Sequence, residues 1–115
     1  VVGDPLRLGT AKYYLIVVVQ SCIDLCNHIV AKGDARAPAD YGDCFKVLAE
    51  INILSFGLSE RMMKMAKLRN LLVHRYWEVD ESQVYRILVE ELGVFDEFAK
   101  TIAGYAPASI EKGAV

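Results

Sequence analysis

Arg69, Asn70, His74 and Tyr76 stand close together in the string RNLLVHRYW, which runs from Arg69 to Trp77. An arginine offers phosphate oxygens a planar fork of donors and keeps its charge. A histidine exchanges a proton near neutral pH. An asparagine orients an imidazole or a ligand. Such a set suits metal-independent cleavage of RNA. A base takes the proton of a 2′-hydroxyl, and the guanidinium stabilises the charge that develops on the phosphorane.

These residues need a helix to hold them. Leu58, Met62, Met65, Arg69, Leu72 and Tyr76 recur at alternating spacings of four and three, a heptad-like seam. Arg69 sits in the middle of that seam, where an unpaired buried charge is expensive. Asn70 and His74 form an i, i+4 pair on one face, offset from the seam by roughly 100–140° at ~100° per residue. A long arginine side chain bridges that offset. The spacing therefore predicts that Arg69, Asn70, His74 and Tyr76 converge at one edge of the helix, where core meets solvent or a partner. The competing reading pairs Arg69 with a core acid such as Asp24 and leaves His74 to satisfy backbone groups.

Around this helix the chain reads as all-α, an up-and-down four-helix bundle with short connections. The first helix is expected from about Leu6 to Lys32, ending at Gly33. Its inward residues are Leu15, Val18, Val19, Cys22, Ile23, Cys26, Ile29 and Val30, with Gln20, Asp24, Asn27 and His28 opposite. Apolar residues on every side of Tyr13–Val19 point to burial on more than one face. Residues 33–43 read as a loop marked by Gly33, Pro38 and Gly42. A shorter helix, roughly Tyr41 to Leu54, turns Phe45, Leu48, Ala49 and Ile51 inward, and Ser55-Phe56-Gly57 breaks it. The third helix runs from about Leu58 to Tyr76 with Ser59 as N-cap. The fourth, from about Glu81 to Ala103 with Asp80 as N-cap, carries the stripe Val84, Ile87/Leu88, Leu92, Phe95, Phe98 or Ala99, and Ile102. The tail after Gly104 is expected to be loose. All 115 residues are read as a single domain.

Composition narrows the function. Hydrophobic residues make up 54% and charged residues 24%, enough for a core. A net charge of −2 rules out a strongly basic nucleic-acid coat but not a local basic patch. Residues 60–75 hold five basic and one acidic side chain, whereas residues 78–97 hold seven acidic and one basic. The third helix is thus a basic patch on an acidic chain. The longest unbroken apolar run, Tyr13 to Val19, is far short of the ~20 residues that cross a bilayer, and no signal peptide is visible. Three cysteines cannot all pair within one chain, so a reducing cytoplasm is the simpler expectation.

Other candidates are weaker. Cys22, Cys26, His28 and Cys44 do not follow a zinc spacing on a helix, so no metal is expected and the thiols read as core. Asp24 and His28, at i and i+4, form either a pair supporting the cleft or a solvated pair. Met62, Met63 and Met65 read as core and dimer packing. Tyr13, Tyr14, Tyr41, Tyr85 and Tyr105 read as structural. Ser59 and Ser82 have no nearby base, and no glycine-rich phosphate loop is present.

The string from Arg69 to Tyr76 resembles the R-x4-H-x-Y motif of the HEPN superfamily, and is nearest to its HepT-like branch. The segments SCIDLCNHIVAKG (Ser21 to Gly33), DYGDCFKVLAEINIL (Asp40 to Leu54), LSERMMKMAKLRN (Leu58 to Asn70) and EVDESQVYRIL (Glu78 to Leu88) resemble the same branch in the same order. The resemblance implies a HEPN-like helical bundle whose N-terminal helix is truncated here. It implies a homodimer with the two motifs facing each other across a cleft. It implies a cytoplasmic, metal-independent endoribonuclease, the toxin of a toxin–antitoxin pair, that needs no cofactor and takes RNA rather than DNA. A nucleotidyltransferase antitoxin would be the partner, transferring AMP to the motif tyrosine. Position by position, Arg69 would bind phosphate, His74 would be the acid/base, Asn70 would support them, and Tyr76 would be the silenced site. An anionic group there would block the cleft and neutralise Arg69. The alternative is a non-catalytic module of the same fold that binds a nucleotide or the nucleotidyltransferase.

Overall fold

The computed structural model describes residues 5–33 and 35–113, with side chains through Tyr105. Asp34 of the expected loop, and the ends of the chain at residues 1–4 and 114–115, lie outside the described residues. Every element among the described residues is helical: α1 (Pro5–Lys32), α2 (Tyr41–Glu50), α3 (Phe56–His74), α4 (Glu81–Arg86) and α5 (Gly93–Gly113). A 3-10 turn (Tyr76–Glu78) follows α3, and a π turn (Ile87–Glu91) joins α4 to α5.

The core forms where the apolar stripes of α1, α2 and α3 meet. On α1 the buried positions are Leu15, Val19, Ile23, Cys26 and Val30, one helical face. The helical stretch Leu6–Lys32 contains an 18-residue window with a mean hydropathy of 1.6 and is long enough to cross a bilayer. The unbroken-run criterion overlooks it because Lys12, Gln20, Ser21 and Asp24 interrupt the apolar residues. Its buried stripe is what a core helix presents to its neighbours. Cys26 and Cys44 are fully buried, as expected, but their sulfurs are bonded, joining α1 to α2 across a Cα–Cα distance of 6.2 Å. The expectation of three free thiols is corrected: Cys22 alone is free, and burial pushes its thiol up to about 11.

Helix 2 starts where Asp40 accepts from the Asp43 N–H at 2.8 Å. It stops at Glu50, earlier than expected, because Asn52 turns left-handed at φ 65°. The Ile53 N–H reaches the Leu48 carbonyl at 2.8 Å and the Asn52 N–H the Ala49 carbonyl at 3.1 Å, the Schellman arrangement that satisfies a helix end. Ile51, expected inward, is exposed at that cap. Cys44 and Val47 join Phe45, Leu48 and Ala49 in the core.

Helix 3 is capped by Ser55, which accepts from the Leu58 N–H at 3.1 Å. Ser59, expected as the cap, is instead buried, and its hydroxyl donates to the Phe45 carbonyl at 2.9 Å, tying α3 to α2. Asp80 caps α4 as expected, in a reciprocal box with Gln83. The single fourth helix is corrected to two segments, since the π turn interrupts it and changes its phase. Val84, Ile87, Phe98 and Ile102 are buried as expected, Leu92 and Phe95 only partly, Ala99 not at all, and Val94 fills the core between them. Phe98 meets Phe45 edge-on at 5.6 Å and 84°, which docks α5 on α2. The backbone stays helical past Gly104 to Gly113, where a loose tail was expected.

Candidate functional site

The short link between α2 and α3 makes them antiparallel, so the start of α2 lies beside the second half of α3. A Cβ added to Gly42 would meet the Ala66 side chain and the Met63 carbonyl at 3.9 Å. Beyond this close approach a cleft of about 500 Å³ opens, lined by Asp40, Tyr41, Arg69, Asn70, Val73 and His74. Three of the four residues expected to converge are therefore brought together.

Arg69 is half-buried, as its place on the seam predicts; Leu58, Met62, Met65 and Leu72 are fully inward. Its Nη1 donates to Asn70 Oδ1 at 3.1 Å. Its guanidinium carbon lies 5.1 Å from the centre of the Tyr41 ring. Its Nε is buried with no acceptor among the described residues. Asp24 does not pair with it, but is exposed and accepts from Gln20 Nε2 at 2.8 Å. Asp40 lines the cleft, yet its Oδ1 caps α2. Arg69 thus has no carboxylate in ion-pair range among the described residues, and Asp40 is the acid that shares its cleft.

His74 is the last residue of α3 and is exposed. The Arg75 N–H closes the helix on the Leu71 carbonyl at 2.7 Å, and the backbone at Arg75 leaves helical geometry at φ −138°. Tyr76 therefore falls outside α3, a correction to the expected convergence. It lines no part of the cleft and lies against α1 instead. The buried Lys12 places its ammonium 4.0 Å from the Tyr76 ring centre and donates to the Tyr76 carbonyl at 3.0 Å. A Cβ on Gly9 would stand 3.5 Å from the Tyr76 hydroxyl. Tyr76 as a whole is 45% exposed. Asp24 and His28 are both exposed and neither lines the cleft, so the expected supporting pair is not brought to it, and Asp24 accepts from Gln20 instead.

Tyr41 is the site residue that sequence reasoning missed. The signal for it was the short α2–α3 connection, which brings the far end of α2 level with Arg69.

Fold and cleft together define a helical bundle of the kind found in HEPN toxins. The chain belongs to the ribonuclease HepT-like family, which residues 1–102 match. It is 34% identical over 83 residues to the mRNA nuclease HepT of Shewanella oneidensis, covering 72% of this chain and 62% of that protein. It is 28% identical over 91 residues to the tRNA nuclease HepT of Aphanizomenon flos-aquae, covering 79% and 62%. The chain thus spans less than two-thirds of the length of either relative. The tri-AMPylated Shewanella oneidensis HEPN toxin, solved in complex with its MNT antitoxin, superposes with a TM-score of 0.84 at 29% identity, covering 89% of this chain and 77% of that one.

Proposed function

We propose that this chain is the ribonuclease toxin of a toxin–antitoxin pair, that it cuts RNA without a metal in a cleft shared by two copies, and that a nucleotidyltransferase silences it by transferring AMP to Tyr76. One observation carries the reading: Arg69 faces a cleft with Asn70 and His74, and among the described residues no carboxylate lies in ion-pair range of it. A purely structural arginine on an apolar seam needs an acid, and this one lacks it. The named activities of the two nuclease relatives support RNA as the substrate class.

In this reading Arg69 grips the phosphate, and Asn70 steadies the guanidinium. The imidazole of His74 takes the 2′-hydroxyl proton as the 2′-oxygen attacks phosphorus. The P–O5′ bond breaks, and an imidazolium returns a proton to the leaving oxygen. Tyr76 is exposed enough to accept a transferred group. Because it lies on the α1 side, a group on it reaches a cleft only where two copies bring their motifs together.

Cleavage of an RNA in excess chelator, by the purified chain and its Arg69→Ala and His74→Ala variants, tests the proposal. Each variant is expected to lose about 100-fold or more in rate and to relieve growth arrest in cells. Unchanged cleavage by both variants overturns the assignment. RNA binding without any cleavage by the unaltered chain makes it the non-catalytic module instead.

A further inference from the structure

We infer that Tyr41 is the positioning residue for Arg69: its ring face fixes the plane of the guanidinium, so that the charge points into the cleft. The inference rests on the reading of Arg69 as the phosphate-binding group.

A guanidinium on a long side chain has several ways to fold back onto the protein, and a phosphate site needs it held in one of them. A carboxylate would hold it most firmly, but would also cancel its charge. An aromatic face orients a guanidinium by attraction to the ring quadrupole and leaves the positive charge available. That is the arrangement found here. The guanidinium carbon is 5.1 Å from the Tyr41 ring centre, inside the ~6 Å reach of such a contact. Asn70 Oδ1, the hydrogen-bond acceptor that Arg69 has, comes from the adjacent residue on the same helix. Asn70 is exposed, so its amide turns with a solvated side chain and anchors the guanidinium weakly, whereas the Tyr41 ring stands at the capped start of a second helix. Asp40, the acid nearest in the chain to Tyr41, is engaged in capping α2.

Tyr41 is itself held in place. It is the first residue of α2, directly after the capping Asp40. Arg36 forks across Asp43 at 2.6 and 2.9 Å and Glu50 at 2.9 and 3.0 Å. The Ala39 N–H donates to Asp43 at 2.8 Å. These bonds fix the entry into α2, and hence the backbone from which the ring projects. Tyr41 is 43% exposed, so it contributes little to the core and can be changed without emptying it.

The test reads phosphate binding rather than turnover. Inorganic phosphate and 5′-AMP are titrated into the full chain while the Arg69 Nε–Hε signal is followed by NMR, with Arg69→Ala identifying that signal. Tyr41→Leu is expected to weaken AMP binding about ten-fold and to broaden or shift the free Nε–Hε signal, while Tyr41→Phe stays within about two-fold of the unaltered chain. A Tyr41→Leu chain that binds as tightly as the original overturns the inference, and so does a Tyr41→Phe chain as weak as Tyr41→Leu. RNA cleavage is scored on the same samples. If the binding pattern holds and RNA stays intact, the nuclease reading fails and the positioning role of Tyr41 stands.

Discussion

Arg69 owes its availability to the absence of an acid beside it, and that absence has an energetic cost. Its Nε is buried without an acceptor, and an unsatisfied buried donor costs about 1–3 kcal/mol. Met65 and Leu72, on the same seam, are buried and apolar, so an apolar side chain of similar length fits that environment better. Arg69→Met is expected to raise the unfolding free energy by about 1 kcal/mol while abolishing phosphate binding. Urea denaturation of the two chains measures the first effect, and a less stable variant would show that Arg69 supports the fold. At this scale the sequence was informative about Arg69, since every neighbour at heptad spacing is apolar. It was silent about Tyr41, whose partnership with Arg69 exists only once α2 folds back along α3. It misplaced Tyr76, because no glycine or proline marks the point where the chain leaves helical geometry at Arg75.

Helix existence and inward faces follow directly from periodicity, whereas helix ends depend on single capping groups. Ser55 and Ser59 are both plausible starts for α3, and only their surroundings separate them: one meets the Leu58 N–H, the other the Phe45 carbonyl. Asn52 ends α2 through a left-handed backbone that asparagine tolerates better than most residues. The π turn is a single turn, too short for its change of phase to stand out from the apolar stripe on either side. The entry into α2 carries a prediction of its own. Hydrogen bonds from Arg36 hold the Asp43 and Glu50 carboxyls below their ordinary values of 3.8 and 4.5. A carboxyl whose folded pKa is lowered stabilises the fold above its unfolded value, and that contribution fades as protons arrive below it. The melting temperature is therefore expected to fall as the pH drops from roughly 5 to 3. Arg36→Ala should melt lower at neutral pH and show a shallower acid decline, as followed by circular dichroism. Parallel acid profiles for the two chains would show that Arg36 does not clamp α2.

Across the whole molecule, charge segregation was readable from the sequence, but its partial cancellation was not. Arg61 pairs with Glu97 at 2.8 Å and Arg75 with Glu78 at 3.4 Å, drawing one cation of α3 and the one just past its end towards the acidic side. Apolar surface was equally ambiguous: Tyr13, Tyr14, Val17 and Trp77 stay exposed, and composition does not separate a core residue from one awaiting a second copy. Among the described residues of α3, Lys64, Lys67 and Arg69 have no carboxylate in ion-pair range, and if RNA is the substrate these three, spread around the helix, are its cations for phosphate. Single strands release about 0.7 counterion per neutralised phosphate. One chain acting alone should therefore give a slope of about −2 when the logarithm of RNA affinity is plotted against that of salt concentration. A groove shared by two copies offers both sets of cations and should give about −4. Fluorescence anisotropy with His74→Ala, which is expected to leave the RNA intact, measures the slope between roughly 50 and 200 mM salt. A value near −4 supports the shared cleft, a value near −2 confines binding to one chain, and a value near zero removes RNA phosphate as the ligand of this face.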